Sequence, residues 1–127
     1  MREPEQAVAA AMQCLDEFMA AFNARDLAAI EARFNFPSVL LASNRLTLIE
    51  PGHHQPGMFE QGALSEWDHC AWERREVVHA GPDKAHIDTR FTRLRADGSV
   101  IGGSDSIHVV TLQDGRWGIK IRSSFAP

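Results

Sequence analysis

Two Asp-Gly pairs constrain the fold of this chain most, because they divide its second half into antiparallel strands. Asp97-Gly98 and Asp114-Gly115 each stand between segments that read as strands. A type I′ hairpin turn needs positive φ at both central residues, and Asp-Gly meets that requirement. Together with the turn at residues 81–84, these pairs predict four strands over residues 72–80, 85–95, 99–112 and 116–125.

The first quarter of the chain has a helical pattern. Apolar residues recur there at steps of three or four, which predicts an amphipathic helix over Glu5–Asn23. Asp26 is a suitable N-cap for a second, shorter helix with Phe34 on its apolar face. Phe36-Pro37 should end that helix, because the residue before proline is pushed away from helical dihedral angles.

A small hairpin and a loop connect the two halves. Ser38–Ala42 and Arg45–Ile49 are predicted strands, with turn-forming residues between them. The following loop carries His53-His54, and Pro56–Leu64 is predicted as a short, weak third helix. Helices followed by an antiparallel meander indicate an α+β fold in one domain over residues 1–127.

Composition narrows the classes of partner and the compartment. The chain has 127 residues and a net charge of −4, from 13 basic and 17 acidic residues. Nucleic acids and anionic membranes need a basic surface, so neither is an expected partner. Cys14 and Cys70 are far apart, and the N-terminal residues lack the pattern of a secretory signal. No apolar run approaches the ~20 residues of a membrane helix. We therefore expect a soluble, cytoplasmic protein with reduced thiols.

The hairpin turns also predict which residues share a sheet face. If each turn is a two-residue loop, one face is mainly apolar and should pack on the helices. That face also receives a polar group made of Arg74, Glu76, Thr89, Ser106, His108 and Ser123. His108 is the best candidate for acid–base catalysis, with Glu76 able to act as the base or to orient it. The alternative, in which these buried groups only satisfy one another, stays open.

Aromatic residues complete the predicted ligand site, and the opposite face predicts a contact between protomers. The aromatic residues expected around a ligand are Phe22, Trp72, Phe91 and Trp117. The other face is charged with an aliphatic centre, which suits a homodimer interface or simple solvation. Its predicted charged residues are Arg75, Asp88, Arg90, Asp105, Lys120 and Arg122.

Several of these features together resemble a known family. They are the segment from Phe22 to Leu27, the hairpin after Phe36-Pro37, Trp72 before the meander, and the final hairpin 114–119 that leads to 122–125. In these features the chain resembles the nuclear transport factor 2-like superfamily, in particular its SnoaL-like branch. The resemblance implies a curved, mostly antiparallel sheet wrapped around N-terminal helices into a cone. It also implies an apolar pocket inside the cone and homodimers through the open sheet face.

The known catalytic patterns of that superfamily do not match this sequence. The ketosteroid isomerase type uses a carboxylate on the strand after the second helix and a tyrosine in the oxyanion hole. Here that strand, Ser38–Ala42, has no carboxylate, and the chain contains no tyrosine. His53-His54 lacks a recognisable metal-ligand spacing, so we expect neither a metal nor another cofactor.

Two functions remain open. In the first, the domain binds a small apolar molecule, with cofactor-independent isomerase, lyase or hydrolase activity as an extension. In the second, it is a non-catalytic homodimerisation or partner-binding module whose pocket is filled by its own side chains. The side chains available to fill it are Phe18, Phe22, Phe34, Phe91 and Trp117.

Overall fold

One long helix and a six-stranded sheet dominate the computed structural model, which describes residues 4–60 and 64–126. The helices are α1 (Pro4–Asn23), α2 (Leu27–Glu31) and a 3-10 helix (Pro56–Glu60). The strands are β1 (Phe34–Ala42), β2 (Arg45–Ile49), β3 (His69–Ala80), β4 (Lys84–Leu94), β5 (Val100–Gln113) and β6 (Arg116–Ser124). Within these described ranges, no helix is long and apolar enough to cross a membrane.

The sheet curves around α1. Its strand order is β2-β1-β6-β5-β4-β3, and every neighbouring pair is antiparallel except β1 with β6. The apolar stripe of α1 faces β3, β4, β5 and β6, and Leu15 and Ala11 on that stripe are fully buried. The predicted fold class, an α+β cone with helices in the concave face of a mostly antiparallel sheet, is confirmed.

The second helix is shorter than predicted. Asp26 caps it as expected, since its side chain accepts a hydrogen bond from the Ala29 N–H at 3.1 Å. The helix ends at Glu31, however, and Phe34 and Phe36-Pro37 belong to β1. Pairing with β6 explains the difference, because Phe34 lies opposite Ile119 in a parallel ladder. Tertiary pairing therefore outweighs the local helical pattern here.

The other predicted elements are close to the observed ones. The hairpin of β1 and β2 is present, with its turn at Ser43-Asn44. The predicted third helix is a 3-10 helix over Pro56–Glu60, and residues 61–63 of that prediction lie outside the described residues. β3 begins three residues before the predicted start, because the Asn23 side chain bonds both backbone groups of Cys70, at 2.8 and 2.9 Å.

The predicted register is correct between β4 and β5. Thr89 lies opposite Ser106 as predicted, although the turn is one residue longer than expected, with Arg95 bonded to Ser99, and a register shift between Arg93 and Leu94 compensates for it. Between β3 and β4 the pairing starts as predicted at Ala80 and Ala85 but shifts twice along β3. As a result Thr89 lies opposite Arg75 rather than Glu76.

The pairing of β5 with β6 also departs from the predicted register. Val110 lies opposite Ile119 as expected, whereas Val109 lies opposite Ile121, so Lys120 is the extra residue of a bulge. Beyond the bulge every side chain of β6 points to the face opposite the predicted one. Arg122 therefore lies beside His108 on the concave face.

Candidate functional site

An apolar cavity lies between α1 and the concave face of the sheet, with a volume of about 260 Å³. Phe18 and Phe22 of α1 and Leu40 of β1 contribute to its apolar wall, and His108 and Arg122 contribute polar groups. A second cavity of about 110 Å³ shares Phe18, Phe22, His108 and Arg122 with the first. His108 and Arg122 therefore stand at the junction of the two cavities.

The smaller cavity extends towards β3 and β4. Trp72 and Phe91, which lie opposite each other in the ladder, form its aromatic wall. Arg93 and Cys70 complete the side near the strand ends. Burial raises the pKa of Cys70, and its sulfur accepts a hydrogen bond from the Trp67 indole at 3.1 Å, so this residue is a protonated thiol rather than a reactive thiolate.

The loop after β2 borders the larger cavity on its other side. His53 and His54 both contribute to the cavity lining. His54 is fixed by the Glu31 carboxylate, 2.6 Å from its Nδ1, and by the Phe34 ring, whose centroid is 5.1 Å away. Among the described residues, no group of three or more His, Cys, Asp or Glu side chains is arranged to hold a metal ion.

Thr89 fixes the tautomer of His108. The Thr89 hydroxyl lies 3.2 Å from the carbonyl oxygen of Ser106 and 2.9 Å from His108 Nδ1. Both contacts are hydrogen bonds at once only if the hydroxyl donates to the carbonyl, which can only accept, and Nδ1 carries a proton that it donates to the hydroxyl oxygen; we assign this tautomer. Nε2 is left as an acceptor, and it forms no hydrogen bond within residues 4–60 and 64–126.

Burial keeps His108 uncharged. The residue is 2% exposed, and its ring meets Trp72 edge to face at 5.7 Å. Burial, together with the positive charge of Arg122, lowers the pKa of His108 from 6.5 to about 3. At neutral pH the imidazole is therefore a neutral hydrogen-bonding group.

Arg122 is a cation held mainly by hydroxyl groups and an aromatic ring. Its Nε donates to Ser106 Oγ and its Nη2 to Ser124 Oγ, both at the long distance of 3.3 Å. Its guanidinium carbon lies 5.4 Å from the centre of the Phe91 ring. Burial and the neighbouring Arg93 lower the pKa of Arg122 to about 10, so the group stays charged at neutral pH.

The structure brings together many of the predicted site residues. Thr89 and Ser106 are buried beside His108 and Arg122, and Phe22, Trp72 and Phe91 line the cavities. The prediction for these residues depended on the β4–β5 register, which is correct.

Four other predicted site residues lie elsewhere. The shifts along β3 place Arg74 and Glu76 on the outer face, where Arg74 bonds Asp88 and Asp105 at 3.0 and 2.9 Å and Glu76 is exposed. The β6 bulge turns Ser123 outward, opposite Ile107. Trp117 lines a separate groove between α1 and the last hairpin. The predicted positions of these residues in the pocket are therefore wrong.

The sequence prediction placed Arg122 and Arg75 on the wrong face. Arg122 was expected outside with the other charged residues, yet it lines both cavities. Arg75 turns towards α1 and pairs with Asp16 at 2.5 Å. No residue type in 117–124 marks a bulge at Lys120, so the sequence carries no local signal for the inward position of Arg122.

Comparisons with known proteins agree with this geometry at the level of the fold. A protein of unknown function with a cystatin-like fold from Nostoc punctiforme is 14% identical, with a TM-score of 0.71 over 98% of this chain and 93% of that one. A ketosteroid isomerase-like protein from Erwinia carotovora atroseptica is 20% identical, with a TM-score of 0.64 over 94% of this chain and 96% of that one. An uncharacterized protein with a cystatin-like fold from Caulobacter vibrioides gives 10% identity and a TM-score of 0.72, over 94% and 88% of the two chains.

These identities establish the fold alone. No curated protein matches the sequence. A family model described as NTF2-like protein (DUF6841) does match, over residues 5–124. That match covers almost the whole chain and agrees with the cone architecture, in which a helix lies in the concave face of a curved sheet. The chain is a member of the NTF2-like protein family (DUF6841).

Proposed function

We propose that this protein binds a small, largely apolar organic molecule in the cavity between α1 and the sheet. The observation that carries the proposal is the cavity of about 260 Å³, whose aromatic and aliphatic walls surround the polar pair His108 and Arg122. Apolar walls with a few convergent polar groups are typical of ligand sites, whose volumes are roughly 300–1,000 Å³. The observed volume of about 260 Å³ lies just below that range and favours a small ligand.

A pocket filled by its own side chains is the competing hypothesis. Phe18, Phe22 and Phe34 line the larger cavity without closing it, and Phe91 lines the smaller one. The open volume therefore supports ligand binding over a purely structural role for this region.

Proton transfer at His108 is a second candidate function for the same cavity. Thr89 holds Nδ1 as a donor, so the acceptor Nε2 is the atom available to a ligand. A general base works best with a pKa near the working pH, and burial holds His108 far below that. Cofactor-independent isomerisation, elimination or hydrolysis would therefore require the bound molecule to raise the His108 pKa, for example by offsetting the charge of Arg122.

The outer face of the sheet suits a homodimer. Ile107 and Ile121 are 38% and 42% exposed there. Close to them, Arg74 pairs with Asp88 and Asp105. An exposed aliphatic centre beside internally paired charges allows two copies to meet without burying an unpaired charge.

A cavity-filling substitution tests the binding proposal. Leu40 lines the cavity, so Leu40→Trp should occupy the space that a ligand needs. Leu48→Trp is the matched control, because Leu48 lies on the same hairpin and is 57% exposed. A fragment library of small apolar molecules would be titrated into each protein by ¹H–¹⁵N NMR. We expect shifts around His108 in the parent and the Leu48 variant but not in the Leu40 variant. Equal binding by all three would place the fragments outside the cavity and contradict the proposal.

Deuterium incorporation tests the catalytic extension. Phenylacetone in D₂O exchanges the protons next to its carbonyl when a base removes them. Faster exchange with the parent protein than with His108→Gln, after subtraction of the buffer rate, would support proton transfer at Nε2. Equal rates for both proteins would leave binding as the function of the cavity for this class of carbonyl compound.

A further inference from the structure

The linings of both cavities contain arginine but no aspartate or glutamate. Among the described residues, Arg122 lines both spaces and Arg93 lines the smaller one, and neither lining includes a carboxylate. This contrasts with the whole chain, which has 17 acidic and 13 basic residues. The interior of this acidic protein is therefore positive where a ligand would bind.

The arginines at the cavities differ from the other described arginines, which either pair with a carboxylate or, in the case of Arg25, Arg45 and Arg116, are exposed. The described arginines with a carboxylate within 4.0 Å are Arg33, Arg74, Arg75, Arg90 and Arg95. Arg93 and Arg122 have no such partner within residues 4–60 and 64–126. A charge removed from water is energetically costly unless it is paired, so a negatively charged group bound beside these two arginines would be stabilised.

The two guanidinium groups also lie close to the same aromatic ring. The Arg93 guanidinium carbon is 4.8 Å from the centre of the Phe91 ring, and that of Arg122 is 5.4 Å from the same point. The two positive charges repel each other, and the ring offers only a partial counter-charge. A single anion bound in the smaller cavity, beside both guanidinium groups, would offset both charges.

We infer that the ligand of this cavity carries a carboxylate, which Arg122 binds while the apolar remainder of the molecule lies against Phe18, Phe22 and Leu40. Arg122 suits this role because two of its nitrogen atoms are held only by long bonds to Ser106 and Ser124, and a guanidinium fits a carboxylate in a bidentate manner. The inference rests on the proposed function and adds the charge and chemical class of the ligand.

Pairs of probes that differ only in charge test the inference. Phenylacetate and phenylacetamide have the same shape, as do cyclohexanecarboxylate and cyclohexanecarboxamide. Each would be titrated at pH 7.5 and constant ionic strength, with dissociation constants taken from NMR shifts around His108. We expect each carboxylate to bind about tenfold tighter than its amide, because hydrogen bonds to charged groups contribute more than neutral ones.

Substitutions of Arg122 assign the preference to this residue. Arg122→Gln should remove the preference, so that each carboxylate and its amide bind with similar affinity, and Arg122→Lys should retain part of the preference. Arg45→Gln is the matched control, since Arg45 is exposed on β2 and lines neither cavity. The comparison within the parent protein stands even where a variant does not fold.

Each outcome decides between the two proposals. A preference that disappears only in Arg122→Gln supports the inference. Equal affinity of carboxylates and amides in the parent protein would overturn it and leave the apolar binding function standing. Absence of binding by every probe, charged or neutral, would overturn both. A preference that survives Arg122→Gln would refute the assignment to Arg122.

Discussion

Thr89 Oγ1 and His108 Nδ1 lie 2.9 Å apart on adjacent strands, inside the sheet and out of reach of solvent. The bond links two neighbouring strands. Thr89 lies opposite Ser106, and His108 is the next residue of β5 that points to the same face. It fixes both the plane of the imidazole and the nitrogen that faces the cavity. The orientation of the histidine is therefore set by β-sheet register rather than by a neighbouring carboxylate.

Thr89→Val tests whether this hydrogen bond sets the orientation of His108. The substitution keeps the shape of the side chain but leaves His108 Nδ1 without its partner, so the free energy of unfolding should fall by about 1–3 kcal/mol. The imidazole ¹⁵N shifts should change from one tautomer to a mixture. Thr47→Val, on β2, is the control, because Thr47 lines neither cavity, and it should leave both measurements unchanged. A retained single tautomer in Thr89→Val would show that packing against Trp72 alone orients the ring.

The low pKa of His108 predicts a loss of stability in mild acid. The pKa is lowered from 6.5 to about 3 in the folded protein, so between these values the unfolded state binds one more proton than the folded state. The contribution is fully present above pH 6.5 and is lost as the pH falls, with a slope of up to about 1.4 kcal/mol per pH unit. Urea unfolding between pH 7 and pH 5 measures this slope, because carboxyl groups ordinarily titrate below this range, near 4.

His108→Gln removes the titrating group and should flatten that slope, although it also lowers the overall stability. His53→Gln is the control, because His53 is exposed. The slope in the control should equal that of the parent. A parent protein whose stability does not change over this range would mean that folding does not lower the pKa of His108, and the argument from burial would be wrong.

The parts of the site that the sequence predicted correctly include the β4–β5 ladder from Lys84 to Arg93. The turn is one residue longer than the predicted two-residue loop, but the register shift between Arg93 and Leu94 compensates for it, so Thr89, Ser106 and His108 keep their predicted inward positions. The helical pattern of α1 similarly predicts that Phe22 faces the sheet. Alternation and turn chemistry are local properties, and in β4 and β5 they predict the correct face because the longer turn and the register shift cancel.

The wrong predictions in β3 and in the second half of β6 follow register shifts, whereas Trp117 keeps its predicted pairing with Leu112 and lines a separate groove. A bulge adds one residue to one strand, which reverses the face of every side chain that follows. This reversal moved Arg122 inward and Ser123 outward in β6, and Arg74 and Glu76 outward in β3. The cause is the fit of a strongly curved sheet around α1, which is a tertiary property. A single sequence without a distinctive residue at Lys120 does not encode it locally.

Homodimerisation through the outer face makes a further prediction. Ile107→Lys and Ile121→Lys place a charge at the centre of the exposed aliphatic patch and should convert a dimer into a monomer at micromolar concentration. Light scattering coupled to size-exclusion chromatography measures the mass. Leu46→Lys is the control, because Leu46 is 70% exposed on the edge strand β2. A parent protein that is already monomeric, or variants that stay dimeric, would refute this interface.

Replacing Arg122 with methionine should stabilise the protein. The guanidinium has no carboxylate partner in the described part of the chain, and its two bonds to Ser106 and Ser124 are long, so its desolvation is poorly offset. Methionine has a similar length and keeps the cavity wall, so the free energy of unfolding in urea should rise by about 1 kcal/mol or more. Arg74→Met is the contrasting control, because it breaks two ion pairs and should not stabilise the protein. A destabilised Arg122→Met would mean that the hydroxyl contacts and the Phe91 ring outweigh the cost of the charge. A stabilised variant that no longer prefers carboxylates would show that this position is kept charged for a ligand rather than for the fold.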